Sequence, residues 1–428
     1  MMSTVTRRLH VVDLSALEVL DSRGNPTLQI EVRLDDGTSA SAGVPSGAST
    51  GSREAVEVRD GDPERFAGKG VLGAVGHVNG ELRDLVCSTS WGSLADVDAA
   101  MIVADGTPNK SRLGANALVG VSMAVARAAA RSGPLFESLQ PDGVGPRLPV
   151  PHFNVLNGGA HAANNLDFQE FMIAPIGAPS FPEAVRAGAA VYAALRGLLH
   201  DAGHATGLGD EGGFAPQIDN PEDVLAMLVR AIEAAGYRPG RDGVAIALDP
   251  AASEFYKDGA YQLAGEALSS SDMVERYAQM VAGFPVWSIE DGLAEGDWDG
   301  WVALTERLGE RTQLVGDDIF VTNPAIITEA IERKVGNSAL IKLNQIGTVT
   351  ETLEAMRICR ENGYTQMVSH RSGETPDSFI ADLTVATGCG QLKAGAPARG
   401  ERVAKYNRLL QIAATHPGLP FGLQESGR

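Results

Sequence analysis

Six short apolar segments in the second half of the chain each end in an ionisable side chain. In chain order these residues are Asp249, Glu290, Asp317, Lys342, His370 and Lys393. Three carboxylates gathered without partners would repel one another, and Mg²⁺, which prefers oxygen ligands, would relieve that repulsion. Desolvation at a strand end and a nearby metal ion would lower the pKa of Lys342 or Lys393 towards that of a general base. The pattern therefore predicts metal-assisted proton transfer.

A turn rich in polar groups follows the fifth of these segments. His370-Arg371-Ser372 brings imidazole, guanidinium and hydroxyl groups together in neighbouring positions. Such groups can clamp a phosphate, since a guanidinium can bind two of its oxygens at once. A surface turn with an arginine is common, so the phosphate-binding hypothesis depends on the neighbouring segments.

Two further acids are candidates for proton transfer. Glu211 lies in the glycine-bounded turn 209–216, and Glu170 lies in the strand-like run 168–173. Two acids that share a site can keep one of them protonated, as a general acid requires. Either residue alone would more often be structural.

Strands and helices must bring these residues together. The apolar segments alternate with helical stretches, which predicts a mostly parallel sheet or barrel of the α/β class. In a β/α barrel the carboxyl ends of the strands converge on one face, where the active site is built. The strand-end residues therefore point to one site, and stability alone is a poor explanation for so many charges there.

The first part of the chain has a different pattern. Apolar and polar residues alternate over 28–34, which predicts a half-buried strand, and 115–130 is the clearest helix. Glycine and proline interrupt the pattern at 141–146. The sequence therefore predicts an N-terminal α+β domain over 1–140 and a C-terminal barrel domain over 147–428.

Composition excludes several kinds of partner. The chain has 428 residues and a formal charge of −19, which argues against a nucleic acid or an anionic membrane as the main ligand. Cys87, Cys359 and Cys389 have no CxxC spacing, so we expect reduced thiols in a cytoplasm. Residues 1–10 lack the apolar core of an export signal, and no apolar run has transmembrane length.

The motifs resemble those of the enolase family over nearly the whole chain. The matching segments are residues 21–27, 46–51, 109–116, 157–161, 209–216, 288–291, 369–375 and 401–407. The resemblance implies an N-terminal α+β cap and a modified, TIM-like β/α barrel whose opening strands depart from strict alternation. It also implies Mg²⁺-dependent, reversible dehydration of 2-phosphoglycerate to phosphoenolpyruvate by a homodimer or a larger assembly such as an octamer.

The resemblance also implies a role for each site residue. The first of two Mg²⁺ ions would be bound by Asp249, Glu290 and Asp317, and Ser49 would help to bind the second. Lys342 would be the base and Glu211 the acid, with Glu170 supporting Glu211. The remaining residues implied to bind substrate or to line the pocket are Lys393 for the carboxylate, Arg371 and Ser372 for the phosphate, and His161 and His370 for the wall.

The chain departs from the family pattern at a few positions. His152 stands where an apolar residue is usual, and segment 87–98 is also atypical. A polar His152 in the pocket would alter which substrate is accepted. A second hypothesis is therefore a family paralogue in phosphonate biosynthesis, which would form carboxyphosphonoenolpyruvate. A third is a protein that binds plasminogen or an RNA-degrading assembly; the complete site and the absence of a terminal lysine in 424–428 argue against it.

Overall fold

The computed structural model describes residues 8–48 and 50–423. The part before residue 140 combines a small antiparallel sheet with helices. Its elements are the strands β1 (Val11–Leu20), β2 (Pro26–Leu34) and β3 (Ser39–Gly43), and the helices α1 (Leu72–His77), α2 (Arg83–Val86), α3 (Leu94–Asp105), α4 (Ala115–Ala130) and α5 (Leu135–Ser138). The sheet has the order β1-β2-β3. The alternating pattern and the helix predicted at 115–130 are thus confirmed.

Helix α4 packs against β2 and β3 and is buried along almost its whole length. Its apolar residues meet Ile30 and Val44, which are 0% exposed. Gly120 allows the close approach, because a Cβ there would lie 2.6 Å from Ile30 Cγ1 and 2.7 Å from Val44 Cγ2. Any side chain at residue 120 would therefore push the helix away from the sheet.

The second part of the chain is built around a barrel. Its strands are β4 (Val150–Asn157), β5 (Glu170–Ala174), β6 (Ala245–Asp249), β7 (Tyr256–Lys257), β8 (Ala260–Leu263), β9 (Glu266–Leu268), β10 (Val286–Glu290), β11 (Gln313–Gly316), β12 (Ser338–Ile341), β13 (Thr365–Ser369) and β14 (Gln391–Lys393). Eight of these described strands close in the order β10-β11-β12-β13-β14-β4-β5-β6. Strands β7 to β9 form a separate small sheet in the long connection after β6.

Strand β5 runs antiparallel to both of its neighbours, β4 and β6. The connection from β4 to β5, residues 158–169, contains no α-helix, and the chain turns back directly into the neighbouring strand. The other neighbouring strands of the barrel pair in parallel. This departure from β/α alternation near the start of the barrel is the one that the family resemblance implied.

Helices surround the barrel. They are α6 (Phe181–Asp201), α7 (Pro221–Ala234), α8 (Ser270–Gly283), α9 (Trp298–Leu308), α10 (Pro324–Arg333), α11 (Leu343–Ile346), α12 (Val349–Glu361), α13 (Phe379–Thr387) and α14 (Gly400–Thr415). Local sequence fixes where several begin: Asn323 Oδ1 accepts the N–H of Ala325 at 3.0 Å and Pro324 opens α10. No helix in the described ranges is both long and apolar enough to cross a membrane.

A buried acid joins the N-terminal part to the barrel. Asp98 on α3 is 0% exposed, and its Oδ2 accepts the N–H of Thr350 at 3.1 Å and the hydroxyl of Thr350 at 2.6 Å. Thr350 lies in the first turn of α12. Burial raises the pKa of Asp98 to about 6.

We expect Asp98→Asn to remove a pH dependence of stability. A carboxyl group whose pKa is raised on folding stabilises the fold fully below its unfolded value of 3.8, and that contribution is lost as the pH rises through about 6. The free energy of unfolding of the wild type should therefore fall, relative to Asp98→Asn, by about 2 kcal/mol between about pH 4 and 7. Urea unfolding at the two pH values measures this difference, and Asp96→Asn, exposed on the same helix, is the control. If the free energies of unfolding of the wild type and Asp98→Asn differed by the same amount at both pH values, the raised pKa would not belong to Asp98.

Candidate active site

The carboxyl ends of the barrel strands carry the ionisable residues singled out in the sequence. Each of these residues either ends its strand or directly follows it. The strands are β6, β10, β11, β12, β13 and β14, and the residues in the same order are Asp249, Glu290, Asp317, Lys342, His370 and Lys393. All but Lys342, which is half-buried, are buried. Barrel closure therefore brings together residues that lie up to 144 positions apart in the chain, such as Asp249 and Lys393.

A narrow cavity opens between these strand ends. Its lining residues are His161, Gln169, Glu170, Glu211, Asp249, Lys342, Ser369, His370, Arg371, Ser372 and Lys393. Glu290 and Asp317 lie beside the cavity, where they contact Lys393 and Lys342 respectively. Ser49 lies outside the described residues, so its contact with a second metal ion stays a prediction.

Lys393 is surrounded by carboxylates. Its Nζ lies 2.8 Å from Asp249 Oδ2, 2.8 Å from Glu290 Oε1 and 3.2 Å from Glu170 Oε2. Lys342 Nζ donates a hydrogen bond to Asp317 Oδ2. The two ammonium groups therefore neutralise part of the negative charge that the strand ends collect.

These ion pairs correct the expectation that the pKa of a strand-end lysine falls. Burial lowers the pKa of Lys342, but the negative charges of Asp317 and Glu290 act against burial and the pKa is raised. The pKa of Lys393 is raised well above its ordinary value, because three carboxylates outweigh the effect of burial. A strand pattern does not show which side chains meet, so it did not reveal these ion pairs; the effect of a nearby metal ion on the lysines stays a prediction.

The donor set of the predicted metal site suits Mg²⁺. Asp249, Glu290 and Asp317 are buried oxygen donors, and Glu290 Oε2 has no hydrogen-bond partner among the described residues. Burial and the charge of Asp249 raise the pKa of Glu290 well above its ordinary value. A divalent cation would satisfy the unpartnered oxygen and remove the repulsion, so these residues fit the ion that the enolase resemblance implies.

Two other groups of possible metal ligands are more compact than Asp249, Glu290 and Asp317. The donor atoms of Asp291, Asp317 and Asp318 lie within 4.8 Å of one another, as do those of His161, Glu170 and Glu211. Among the described residues, Asp249, Glu290 and Asp317 do not form so tight a group. Asp249 and Glu290 instead meet at Lys393.

Asp291 has a structural task that the sequence did not reveal. Its Oδ1 accepts the backbone N–H of Asp317 at 2.8 Å, and its Oδ2 accepts that of Asp318 at 2.9 Å. Both oxygens are thus occupied in fixing the backbone that presents Asp317. This favours Asp291 as a support for the site over Asp291 as a metal ligand.

The two candidate acids face a pair of histidines. Glu211 Oε2 lies 3.0 Å from His370 Nε2 and accepts the Nδ2–H of Asn154 at 3.0 Å. His161 Nδ1 lies 3.6 Å from Glu170 Oε1, and His161 Nε2 lies 3.7 Å from Glu211 Oε1. The structure therefore brings Glu170 and Glu211 into one cluster, as the sequence predicted.

The pKa values of the two acids move in opposite directions. Burial and the charge of Glu211 raise the pKa of Glu170 well above its ordinary value. Burial also raises the pKa of Glu211, but positive charge on His370 and His161 would outweigh burial and hold it well below its ordinary value. His370 itself has a pKa of about 3 because it is buried, so it carries no charge near neutral pH. Near neutral pH, the uncharged His370 ring therefore lowers the pKa of Glu211 less than a charged ring would.

The predicted phosphate clamp is anchored from both parts of the chain. Arg371 Nη1 lies 3.0 Å from Glu54 Oε2 and Nη2 lies 3.1 Å from Glu54 Oε1, a two-point ion pair. Arg371 Nη1 also donates to Asn344 Oδ1 at 3.0 Å. Ser372 Oγ lies 3.0 Å from His161 Nε2. The guanidinium is thus held in a fixed orientation at the cavity wall.

His152 does not line this cavity, contrary to the idea that it alters the choice of substrate there. It is 0% exposed inside the barrel, and its ring lies 5.6 Å from that of Trp287. Burial lowers its pKa to about 3, so the ring is neutral. We therefore assign His152 to the packing of the barrel interior.

Sequence patterns missed several residues that support the site. Asn154 binds Glu211, and Gln345 Nε2 donates to Asp317 Oδ1 at 2.8 Å. Arg402 on α14 reaches His370. Asn154 lies inside a strand and Arg402 inside a helix, so only their burial reveals them. Gln345 lies three residues after Lys342, so its position near a strand end could have identified it from the sequence.

The chain forms a closed barrel with an antiparallel second strand, and buried acids and lysines lie at the strand ends. These features define an α/β-barrel enzyme that is suited to proton transfer at a metal site. Comparison with known proteins narrows this class. The family model "Enolase, C-terminal TIM barrel domain" matches residues 146–416, and "Enolase, N-terminal domain" matches residues 11–139. A curated protein from Rubrobacter xylanophilus described as "Enolase" is 56% identical over 419 residues, which cover 96% of this chain and 97% of that relative.

The chain therefore belongs to the enolase family. Membership assigns to it the dehydration of 2-phosphoglycerate to phosphoenolpyruvate, and the family implies a requirement for Mg²⁺. The sequence-based predictions of the fold and of this reaction are thus confirmed.

Proposed function

We propose that, in this dehydration, Lys342 removes the proton beside the substrate carboxylate and Glu211 protonates the hydroxyl group that leaves. The observation that carries the proposal is that Lys342 and Glu211 line one cavity. Glu170, in the same cluster as Glu211, lies on β5, four strands from β12 around the barrel. The base and the acids thus approach from opposite sides, which suits removal of a proton and a hydroxyl group from neighbouring carbons.

Loss of a proton beside a carboxylate leaves a dianion that needs concentrated positive charge. Lys393, whose ammonium group lies in the cavity wall, would bind the substrate carboxylate. The first of two Mg²⁺ ions would be held by Asp249, Glu290 and Asp317, and Ser49 would help to hold the second. When bound, Mg²⁺ would add positive charge beside the substrate and compete with the lysines for these carboxylates.

The rest of the cavity would hold the phosphate. Arg371 and Ser372 would bind its oxygens, and His161 and His370 would complete the wall. The contacts of Arg371 with Glu54 and Asn344 support this role, because they hold the guanidinium in position at the cavity wall.

The first test is the absorbance of the new enol double bond when the protein is mixed with 2-phosphoglycerate and Mg²⁺. We expect fast formation of phosphoenolpyruvate that stops when EDTA removes the metal. Slow or absent turnover in a folded protein that still binds Mg²⁺ and 2-phosphoglycerate would favour the phosphonate-biosynthesis paralogue. The relative described as "Enolase" supports the simple dehydration.

Exchange of the substrate proton separates the two proposed roles. We expect Glu211→Gln to lose about 10²- to 10⁴-fold in dehydration but to keep exchanging the proton beside the carboxylate with D₂O, because Lys342 is intact. Lys342→Ala should lose both dehydration and exchange. Nuclear magnetic resonance of 2-phosphoglycerate in D₂O measures the exchange. Exchange that survives in Lys342→Ala and disappears in Glu211→Gln would reverse the assignment.

We further propose that residues 1–140 and 147–428 are separate domains of a cytoplasmic homo-oligomer, a dimer or an octamer of dimers. Support for association comes from exposed apolar side chains on β1, where Leu17 is 58% and Leu20 is 59% exposed. Sedimentation of the full chain tests the oligomeric state, and a monomer at micromolar concentration would contradict it.

A further inference from the structure

We propose that Arg402 is a positioning residue that holds His370 as the neutral tautomer with its proton on Nε2, facing Glu211. This inference rests on the proposed role of Glu211 as the acid. It adds to the site a residue from α14, a helix whose residues do not line the cavity.

Arg402 is 0% exposed, and its guanidinium faces hydrogen-bond acceptors. Nη1 lies 2.6 Å from His370 Nδ1 and 2.6 Å from the carbonyl oxygen of Arg371. Nη2 lies 2.5 Å from the carbonyl oxygen of Ser372 and 3.2 Å from that of Asp210. These contacts fix the guanidinium between the turn of the phosphate clamp and the turn that carries Glu211.

The chemistry of the guanidinium determines the state of the ring. Arginine has donors only and stays charged in proteins, so the ring nitrogen that faces it must offer a lone pair. His370 Nδ1 is therefore unprotonated, and the proton of the neutral ring lies on Nε2. Nε2 lies 3.0 Å from Glu211 Oε2, so the protonated nitrogen is the one beside the carboxylate.

This arrangement leaves one oxygen of Glu211 for proton transfer. Oε2 accepts a hydrogen bond from Asn154 Nδ2 at 3.0 Å and lies 3.0 Å from His370 Nε2. Oε1 has a more distant neighbour, His161 Nε2 at 3.7 Å. The proton that Glu211 delivers to the leaving hydroxyl therefore resides on Oε1.

Arg402 also prevents a second proton from reaching His370. A ring protonated on both nitrogens would lose the contact with Arg402 and would place a positive charge against Glu211, which would keep that acid ionised. The charged groups that act on His370 are Glu211 from its turn, Arg402 from α14 and Lys393 from β14. Burial, together with the charges of Arg402 and Lys393, outweighs the opposing effect of Glu211 and lowers the pKa of His370 to about 3, in agreement with a ring that is neutral during turnover.

The test compares pH profiles of full-length variants with Mg²⁺ and 2-phosphoglycerate. We expect Arg402→Gln to lower kcat by about 10- to 100-fold with a small change in KM, because the acid is disturbed and the substrate contacts remain. Its kcat/KM should also fall at acidic pH values at which the wild type keeps its activity, because the pKa of His370 rises when the guanidinium is removed. This acidic limb should be absent from the wild type and from the double variant Arg402→Gln/His370→Gln, because glutamine cannot be protonated.

Arg408→Gln is the matched control on the same helix. Arg408 pairs with Asp382 at 2.6 Å, away from the cavity, so its replacement should leave kcat and the pH profile unchanged. Arg402→Lys, which keeps the charge, should show a smaller loss and no acidic limb. A uniform loss of kcat at every pH in Arg402→Gln, or an acidic limb that survives the replacement of His370, would overturn the proposal.

A spectroscopic measurement on the wild type covers the case in which Arg402→Gln fails to fold. With ¹⁵N-labelled histidine, the His370 signals should show protonated Nε2 and unprotonated Nδ1 from about pH 5 to 8, the range in which an ordinary histidine titrates. Titration of His370 in that range, or a proton on Nδ1, would overturn the inference. The result is independent of proton exchange in Glu211→Gln, so a wrong acid and a wrong tautomer are distinguishable.

Discussion

Replacing Lys342 by alanine should abolish turnover, with kcat reduced by at least about 10³-fold, while Mg²⁺ binding stays nearly intact. The loss follows from the proposed role of Lys342 as the base, for which the cavity offers no substitute at the end of β12. Metal binding should persist because Asp249, Glu290 and Asp317 remain. Gln345 also remains, and it holds Asp317 in place from the other oxygen.

Two variants separate a missing base from a damaged site. Lys342→Arg keeps a cation beside Asp317, but its guanidinium cannot act as a base near neutral pH, so it should be as inactive as Lys342→Ala. Lys257→Ala on the exposed strand β7 should behave as the wild type. Calorimetric titration with Mg²⁺ measures metal binding. A Lys342→Ala enzyme that kept most of its activity would show that another group takes the proton.

Replacing Lys393 by methionine should destabilise the metal-free protein by about 3–5 kcal/mol. The ammonium group lies within 3.2 Å of three carboxylates, Glu170, Asp249 and Glu290, each of which is at most 3% exposed. Methionine fills a similar volume, so the loss of stability comes from buried charges that lack a partner. Turnover should fall with it, since the substrate carboxylate loses its proposed cation.

Mg²⁺ should restore part of the stability of Lys393→Met, because the ion would bind Asp249 and Glu290, two of the carboxylates that lose their cation. Urea unfolding with and without Mg²⁺ measures this, and Lys405→Met is the matched control. Lys405 is 1% exposed and pairs with Glu374 at 2.8 Å. Its replacement therefore leaves one carboxylate without its cation, at a position away from the proposed metal site. A stabilisation by Mg²⁺ that is equal in both variants would contradict this account of Lys393.

Much of this architecture could be predicted from local sequence. The alternation over 28–34 has the period of a strand, because burial of one face is a local requirement, and the long run of small apolar residues over 115–130 suits the buried helix α4. The strand-end positions of residues such as Asp317 and Lys342 are equally local, since an apolar run ends where the chain leaves the barrel wall. Closure of a barrel then brings these ends to one face.

Other features needed the tertiary structure. The raised pKa of Lys342 depends on a contact with Asp317, 25 residues away, and the state of His370 depends on Arg402, 32 residues away. Asp291 directly follows the predicted ligand Glu290, yet its carboxylate supports the backbone after β11. Charge and hydrogen bonding act over a few ångströms in space, and sequence order does not record those distances.

By itself, then, the sequence determined the elements, the residues at the strand ends and, through family motifs, the reaction. Only the folded chain decided which carboxylate meets which cation, which histidine nitrogen faces an acid and which buried polar groups hold them. The physical reason is that hydrophobic periodicity is fixed along the chain, whereas the electrostatics of a site is fixed by pairs of side chains that meet when the barrel closes.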